Sequence, residues 1–136
     1  MKDFAVPTRR ALCMQGARAL LGTALVLTAG HAMGHHGWSW ADSEQTTLEG
    51  RIAHISMAPP HPSLVVTAAD GGRWKVDLGN PAQTERSGFN AATAQVGDAV
   101  TVRGNRNKDP QQLHMKAVRI SVGGKHYDMY PERIRD

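Results

Sequence analysis

The sequence predicts an all-β fold with one short helix, an OB-fold-like five-stranded Greek-key barrel. Three observations carry this. Strand-like segments occur in the order strand, strand, strand, short helix, strand, strand, which is the order of an OB-fold. The first segment has Gly50 in its middle, as suits a strand that bends to serve both sheets of a barrel. Asn80-Pro81 follows the third segment and favours a helix start. A generic small β-barrel or sandwich is the alternative architecture.

Each element has its own grounds. Thr46 to Met57 has strand composition, and Gly50 suggests a bulge or tight bend there. The "APPHP" that follows ends the strand, because three prolines in five residues lack ladder donors. "SLVVTAA" is a second strand and Asp70 to Gly72 a hairpin turn. "RWKVDLG" alternates, with Trp74, Val76 and Leu78 on one face and Arg73, Lys75 and Asp77 on the other. Asn80 caps, Pro81 opens and Gly88 stops a helix predicted over Pro81 to Ser87. "VGDAVTVRG" and "LHMKAVRISV" are the last two strands, separated by the polar loop "NRNKDPQ". "GGKHYDMY" adds a short hairpin arm before a charged tail. The predicted core is Leu48, Ile52, Ile55, Leu64, Val66, Trp74, Val76, Leu78, Phe89, Val96, Val100, Val102, Leu113, Met115, Val118 and Ile120.

The N-terminus has the three parts of an export signal. "MKDFAVPTRRALCMQGAR" is a positively charged start and "ALLGTALVLTAG" an apolar run too short to span a bilayer. Small residues around Ala32 and Gly34 then offer cleavage points. "TRRAL" resembles the twin-arginine export pattern, which would mean folding before export. The expected division is a cleaved signal over 1–34, an N-terminal extension over 35–46, a barrel over 47–130 and a tail over 131–136. The expected location is the periplasm or the exterior, with no membrane insertion after cleavage.

The first 34 residues hold four of the sixteen lysines and arginines and one of the twelve acids, so the rest of the chain is within one charge of neutral. Near-neutrality and export together led to the expectation of no nucleic-acid partner. Cys13, the single cysteine, lies in the expected signal. The exported chain then has no disulfide, and a metal would be held by imidazole, carboxylate, thioether, amine or backbone groups.

The mature chain resembles an uncharacterised family of small exported bacterial proteins. The residues that carry the resemblance are "HHGW" (His35 to Trp38), "GRIAHISMAPPHP" with Gly50, Pro60 and His61, "W.V..GNP" from Trp74 to Pro81, "SGF…VGDAVTVRG", and Gly124-Lys125. Pro59 stands where the family has asparagine, and Met57 where it has tryptophan. The resemblance implies an exported OB-like domain of unknown function.

His35, His36 and His61 are the candidate metal ligands. Cleavage after Ala32 or Met33 would put a histidine third in the mature chain. The amine, two deprotonated amides and that imidazole then make a square-planar set suited to Cu(II). Cleavage after Gly34 would instead leave His35 to chelate with its own amine. The competing reading of the pair is a flexible linker with no ligand role. His61 lies in the proline-stiffened loop, as a further ligand or as an exposed loop histidine. Met57 is a core methionine or a thioether ligand for Cu(I). Trp38 and Trp40 pack on the barrel or bind at its rim.

No serine lies in a nucleophile-elbow context, and no phosphate-cradling glycine loop occurs. The expectation is therefore a binding protein rather than an enzyme. Its ligand is copper or another transition metal, or alternatively a protein, glycan or small molecule on the barrel face.

Overall fold

The computed structural model describes residues 37–135. The expected signal, Cys13, His35 and His36 lie outside the described residues.

The elements are β1 (Ala41–Ser56), β2 (Ser63–Ala68), β3 (Arg73–Asp77), α1 (Pro81–Ser87), β4 (Ala99–Asn107), β5 (His114–Val122), β6 (Lys125–Asp128) and a 3-10 turn (Pro131–Arg133). Hydrogen bonds link the strands in the order β3-β2-β1-β4-β5-β6, and β3 also pairs with β5. That last pairing is parallel, and it closes β1-β2-β3-β5-β4 into a five-stranded barrel. With α1 between β3 and β4, the fold is an OB-fold. β6 is an added arm, hairpinned to the C-terminal half of β5.

β1 spans sixteen residues. Its N-terminal half pairs with β4 and its C-terminal half with β2, so one bent strand serves both sides of the barrel. Gly50 and Arg51 pair with both neighbours. The expected bulge at Gly50 is corrected: the register shifts between Ile52 and His54, leaving Ala53 as the extra residue. Gly50 has a different task. A Cβ there would overlap Thr67 O, so glycine lets β2 approach closely.

The α1 helix forms over the predicted residues for the predicted reasons. Asn80 Oδ1 accepts from the Gln83 amide at 2.9 Å, and Gln83 Oε1 accepts from the Asn80 amide at 3.3 Å, a reciprocal capping box. Pro81 opens the helix, and Gly88 ends it at φ 85°. Thr84, fully buried, donates to Gly79 O and ties the helix to the end of β3.

Most of the predicted core is buried. Two members are corrected: Val96 is 64% exposed and Leu113 is 41% exposed. Val96 occupies the turn before Gly97, and Leu113 lies one residue ahead of β5, tied to β3 through its carbonyl while its side chain stays outside the core. In β5 the register passes from Arg103↔Arg119 to Gly104↔Ala117, so Val118 is the extra residue of a bulge. Alternation therefore changes phase. Met115 and Ala117 point inward before the bulge, and Val118, Ile120 and Val122 after it. The Val118 carbonyl, freed from the ladder, accepts from the amides of Met129 and Tyr130 and anchors the C-terminal segment.

Candidate functional site

The β3–β5 closure places polar groups beside one another at one side of the barrel. Lys75, Val76 and Asp77 pair with His114, Met115 and Lys116. His114 Nε2 meets Asp77 Oδ2 at 2.8 Å, and Lys75 Nζ meets Asp77 Oδ1 at 3.6 Å. Trp40 stacks flat on the His114 ring, with centroids 3.8 Å apart and planes 9° apart.

Beside this seam, Lys116 is only 3% exposed. Its outward position on β5 is covered by the segment before β1 and by the C-terminal segment. Trp38 meets Tyr130 edge to face at 4.9 Å. The Lys116 ammonium lies 5.6 Å from the Tyr130 ring centre and 5.9 Å from that of Trp38. Among the described residues it has no hydrogen bond and no ion pair. Burial pushes the Lys116 amine below its usual value, and the charge of Asp77 acts in the opposite sense. Burial likewise raises the Tyr130 phenol, with Arg133 acting against it.

These groups wall a cavity of about 270 Å³ that also has Gly37, His61, Asn80, Gln83, Glu132 and Arg133 in its lining. The Arg133 guanidinium covers the Trp38 ring at 4.2 Å. The cavity thus brings the loop histidine His61 together with Gly37, the residue bonded to His36. His35 and His36 themselves lie outside the described residues. No group of three or more His, Cys, Asp or Glu side chains able to hold a metal occurs among the described residues. Within them, His61 would need ligands from elsewhere.

Sequence reasoning missed Lys116, Asp77, His114, Tyr130 and Arg133. A lysine inside an otherwise apolar "MKAV" run was the available signal for Lys116. The other four carry no mark in one dimension. Of the two expectations for Trp38 and Trp40, packing on the barrel is observed, from the turn that precedes β1. Met57 packs partly buried against the core.

A second surface lies elsewhere on the barrel, an open groove of about 790 Å³ floored by Gly50, Ala68, Val100 and Gly123. On its flank Ser121 Oγ and His126 Nδ1 are 2.7 Å apart, directly opposite each other in the β5–β6 register. Both are surface groups, and among the described residues no carboxylate is hydrogen-bonded to His126 Nε2 to orient it as a base.

The model of a family of unknown function, DUF6152, matches residues 23–116. The chain belongs to this family. No curated protein matches it. Among solved structures, the S. pombe Stn1-Ten1 complex is similar at 19% identity and a TM-score of 0.48, covering 57% of this chain and 57% of that one. A ZRD-deleted mutant of TiaS in complex with agmatine is similar at 18% identity and 0.48, covering 68% and 28%. The mitochondrial single-stranded DNA binding protein Rim1 of S. cerevisiae is similar at 15% and 0.45, covering 60% and 96%. The DUF6152 chain thus spans little more than half of the first of these and under a third of the second.

One expectation is corrected here. The absence of a nucleic-acid partner was inferred from near-neutral charge and export. The similar structures include one described as a single-stranded DNA binding protein, so that exclusion is withdrawn. Net charge averages over a whole surface and does not rule out a local site. Among the described residues, no helix is long and apolar enough to cross a membrane.

Proposed function

We propose that this DUF6152 protein is an exported binding protein that takes copper, or another transition metal, on His35, His36 and His61. One observation carries the reading: His61 and Gly37 line the same cavity, and Gly37 is bonded to His36. Consecutive Cα atoms are about 3.8 Å apart, so His36 starts within one peptide of the lining. A histidine pair near a new amino terminus, joined by a third imidazole, supplies the nitrogen-rich set that Cu(II) prefers. In this reading the protein binds and does not catalyse, and its N-terminal segment is a cleaved export signal.

The test is a Cu(II) titration of the mature protein, followed by the visible d–d absorption, beside N-terminal sequencing of the exported form. A band that shifts in His61→Ala and disappears in the His35→Ala/His36→Ala double variant is expected. If no band forms in the wild type, or if the double variant leaves it unchanged, the reading is wrong.

A second reading, a non-metal interaction module, is favoured by the composition of the same cavity. Trp38 and Tyr130 supply ring surface, and Lys116 and Arg133 supply charge. It expects a tryptophan fluorescence response to a ligand in metal-free protein.

A further inference from the structure

The geometry points to a small organic carboxylate as the ligand of the cavity between Trp38, His61, Lys116 and Tyr130. This deepens the second reading, on which it rests, and concerns the same cavity that the copper reading uses.

The donor inventory carries the inference. Lys116 is almost wholly buried, yet among the described residues its ammonium has no hydrogen bond or ion pair; the Trp38 and Tyr130 rings lie near it and Asp77 acts on it through charge alone. Asp77, the nearby acid on the paired strand, is already engaged by His114 at 2.8 Å and Lys75 at 3.6 Å. The capping box uses the side-chain carbonyl oxygens of both Asn80 and Gln83. Each of these two residues then retains an NH₂ with two donors against one further lone pair on its oxygen, a net surplus of donors. Arg133, over the Trp38 ring, adds a second cation that cannot lose its proton. Glu132 is the single carboxylate in the lining. The lining carries two cations against one carboxylate, and an anion offsets that excess of positive charge and of donors.

The class of anion follows from the walls. Trp38 and Tyr130, edge to face, make a ring-lined side that suits the carbon part of an organic acid. At about 270 Å³ the cavity has room for several non-hydrogen atoms beyond a carboxylate.

The experiment is calorimetric titration of the mature protein, stripped of metal by dialysis, with benzoate, benzamide and inorganic phosphate. Saturable binding of benzoate is expected, with benzamide and phosphate much weaker. Lys116→Met and Arg133→Gln are each expected to weaken benzoate by about tenfold, the loss of one charge-assisted hydrogen bond, and Lys116→Arg to retain binding. Arg133 is exposed, so its variant tests the inference even if the change at Lys116 disturbs folding. Benzamide binding as tightly as benzoate would leave a ligand cavity but overturn the anion. Phosphate binding more tightly than benzoate would overturn the carboxylate. Binding of none of the three would overturn the inference, while the reading beneath it stands or falls on the tryptophan fluorescence response. Benzoate binding that appears only after Cu(II) is added would assign the anion to the metal and overturn the role of Lys116.

Discussion

Lys116 shows how one side chain can be costly to the fold and still be retained. A buried ammonium loses hydration, and ring faces at 5.6 and 5.9 Å return part of it. Replacing it with methionine keeps the shape and removes the charge. Lys116→Met is expected to raise stability by on the order of 1 kcal/mol at neutral pH. The sign with pH is fixed by the lowered amine. Below its folded-state value the native protein carries the full burial penalty. Between that value and the ordinary 10.5 the unfolded chain holds more protons, so wild-type stability rises with pH. The gap between variant and wild type should therefore narrow on going from neutral pH to about pH 10. Urea midpoints at the two pH values check this, and a gap independent of pH would show that the ammonium is not the cause.

At the scale of elements, two contacts hold β5 in place from either side. Gly104 on β4 lies against β5 so closely that a Cβ would overlap the Lys116 carbonyl oxygen, which is backbone and cannot swing away. Gly104→Ala is expected to cost about 1–3 kcal/mol by forcing the two strands apart, measured as a lower denaturant midpoint. Across the hairpin, Arg119 binds Asp128 through both carboxylate oxygens, from Nε to Oδ1 and from Nη2 at 3.0 Å to Oδ2. This hydrogen bonding, more than the charge itself, holds the Asp128 carboxyl below its usual range. A carboxylate lowered in the folded state stabilises above its ordinary pKa and loses that contribution as pH falls through the folded value. The pair is partly exposed, so Asp128→Asn should cost no more than about 1 kcal/mol at neutral pH. The cost should vanish in acid, when wild type and variant are compared by thermal unfolding.

For the whole molecule, closure rests on the shortest ladder. β3 and β5 pair over three positions, whereas β1 and β4 pair over eight. Opening at this seam breaks fewer hydrogen bonds than opening elsewhere in the barrel. The Lys75 amide, bonded to Leu113 O at 2.9 Å, should exchange with deuterium faster than the amides of Val102 or Ile120. Equal protection of all three would mean the barrel opens only as a unit. The seam also carries the site, since Asp77 and Lys116 are its last pair and Trp40 stacks on His114 of its first. Ligand held by Lys116 should slow exchange at Lys75 for that reason.

The sequence by itself determined the element order, the α1 helix to the residue and most of the barrel core. Those features are local: alternation, an Asn-Pro cap with Gln83 three positions on, and glycine at the helix end. It also marked His35, His36 and His61 as candidate nitrogen ligands, from residue type and an expected cleavage point. Only the tertiary structure decided where the register shifts fall, at Ala53, at Val118 and between Ala41 and Gln45, because such a shift is a mismatch between two strands and neither strand alone records it. It likewise decided that Lys116 is buried. An outward position on a strand is exposed unless something covers it, and here the cover comes from Trp38 and Tyr130, far apart in the sequence. The cavity that joins Gly37 to His61 has the same origin. Its walls come from five separate stretches of sequence, brought together by the β3–β5 closure and the Val118 bulge that anchors the C-terminal segment.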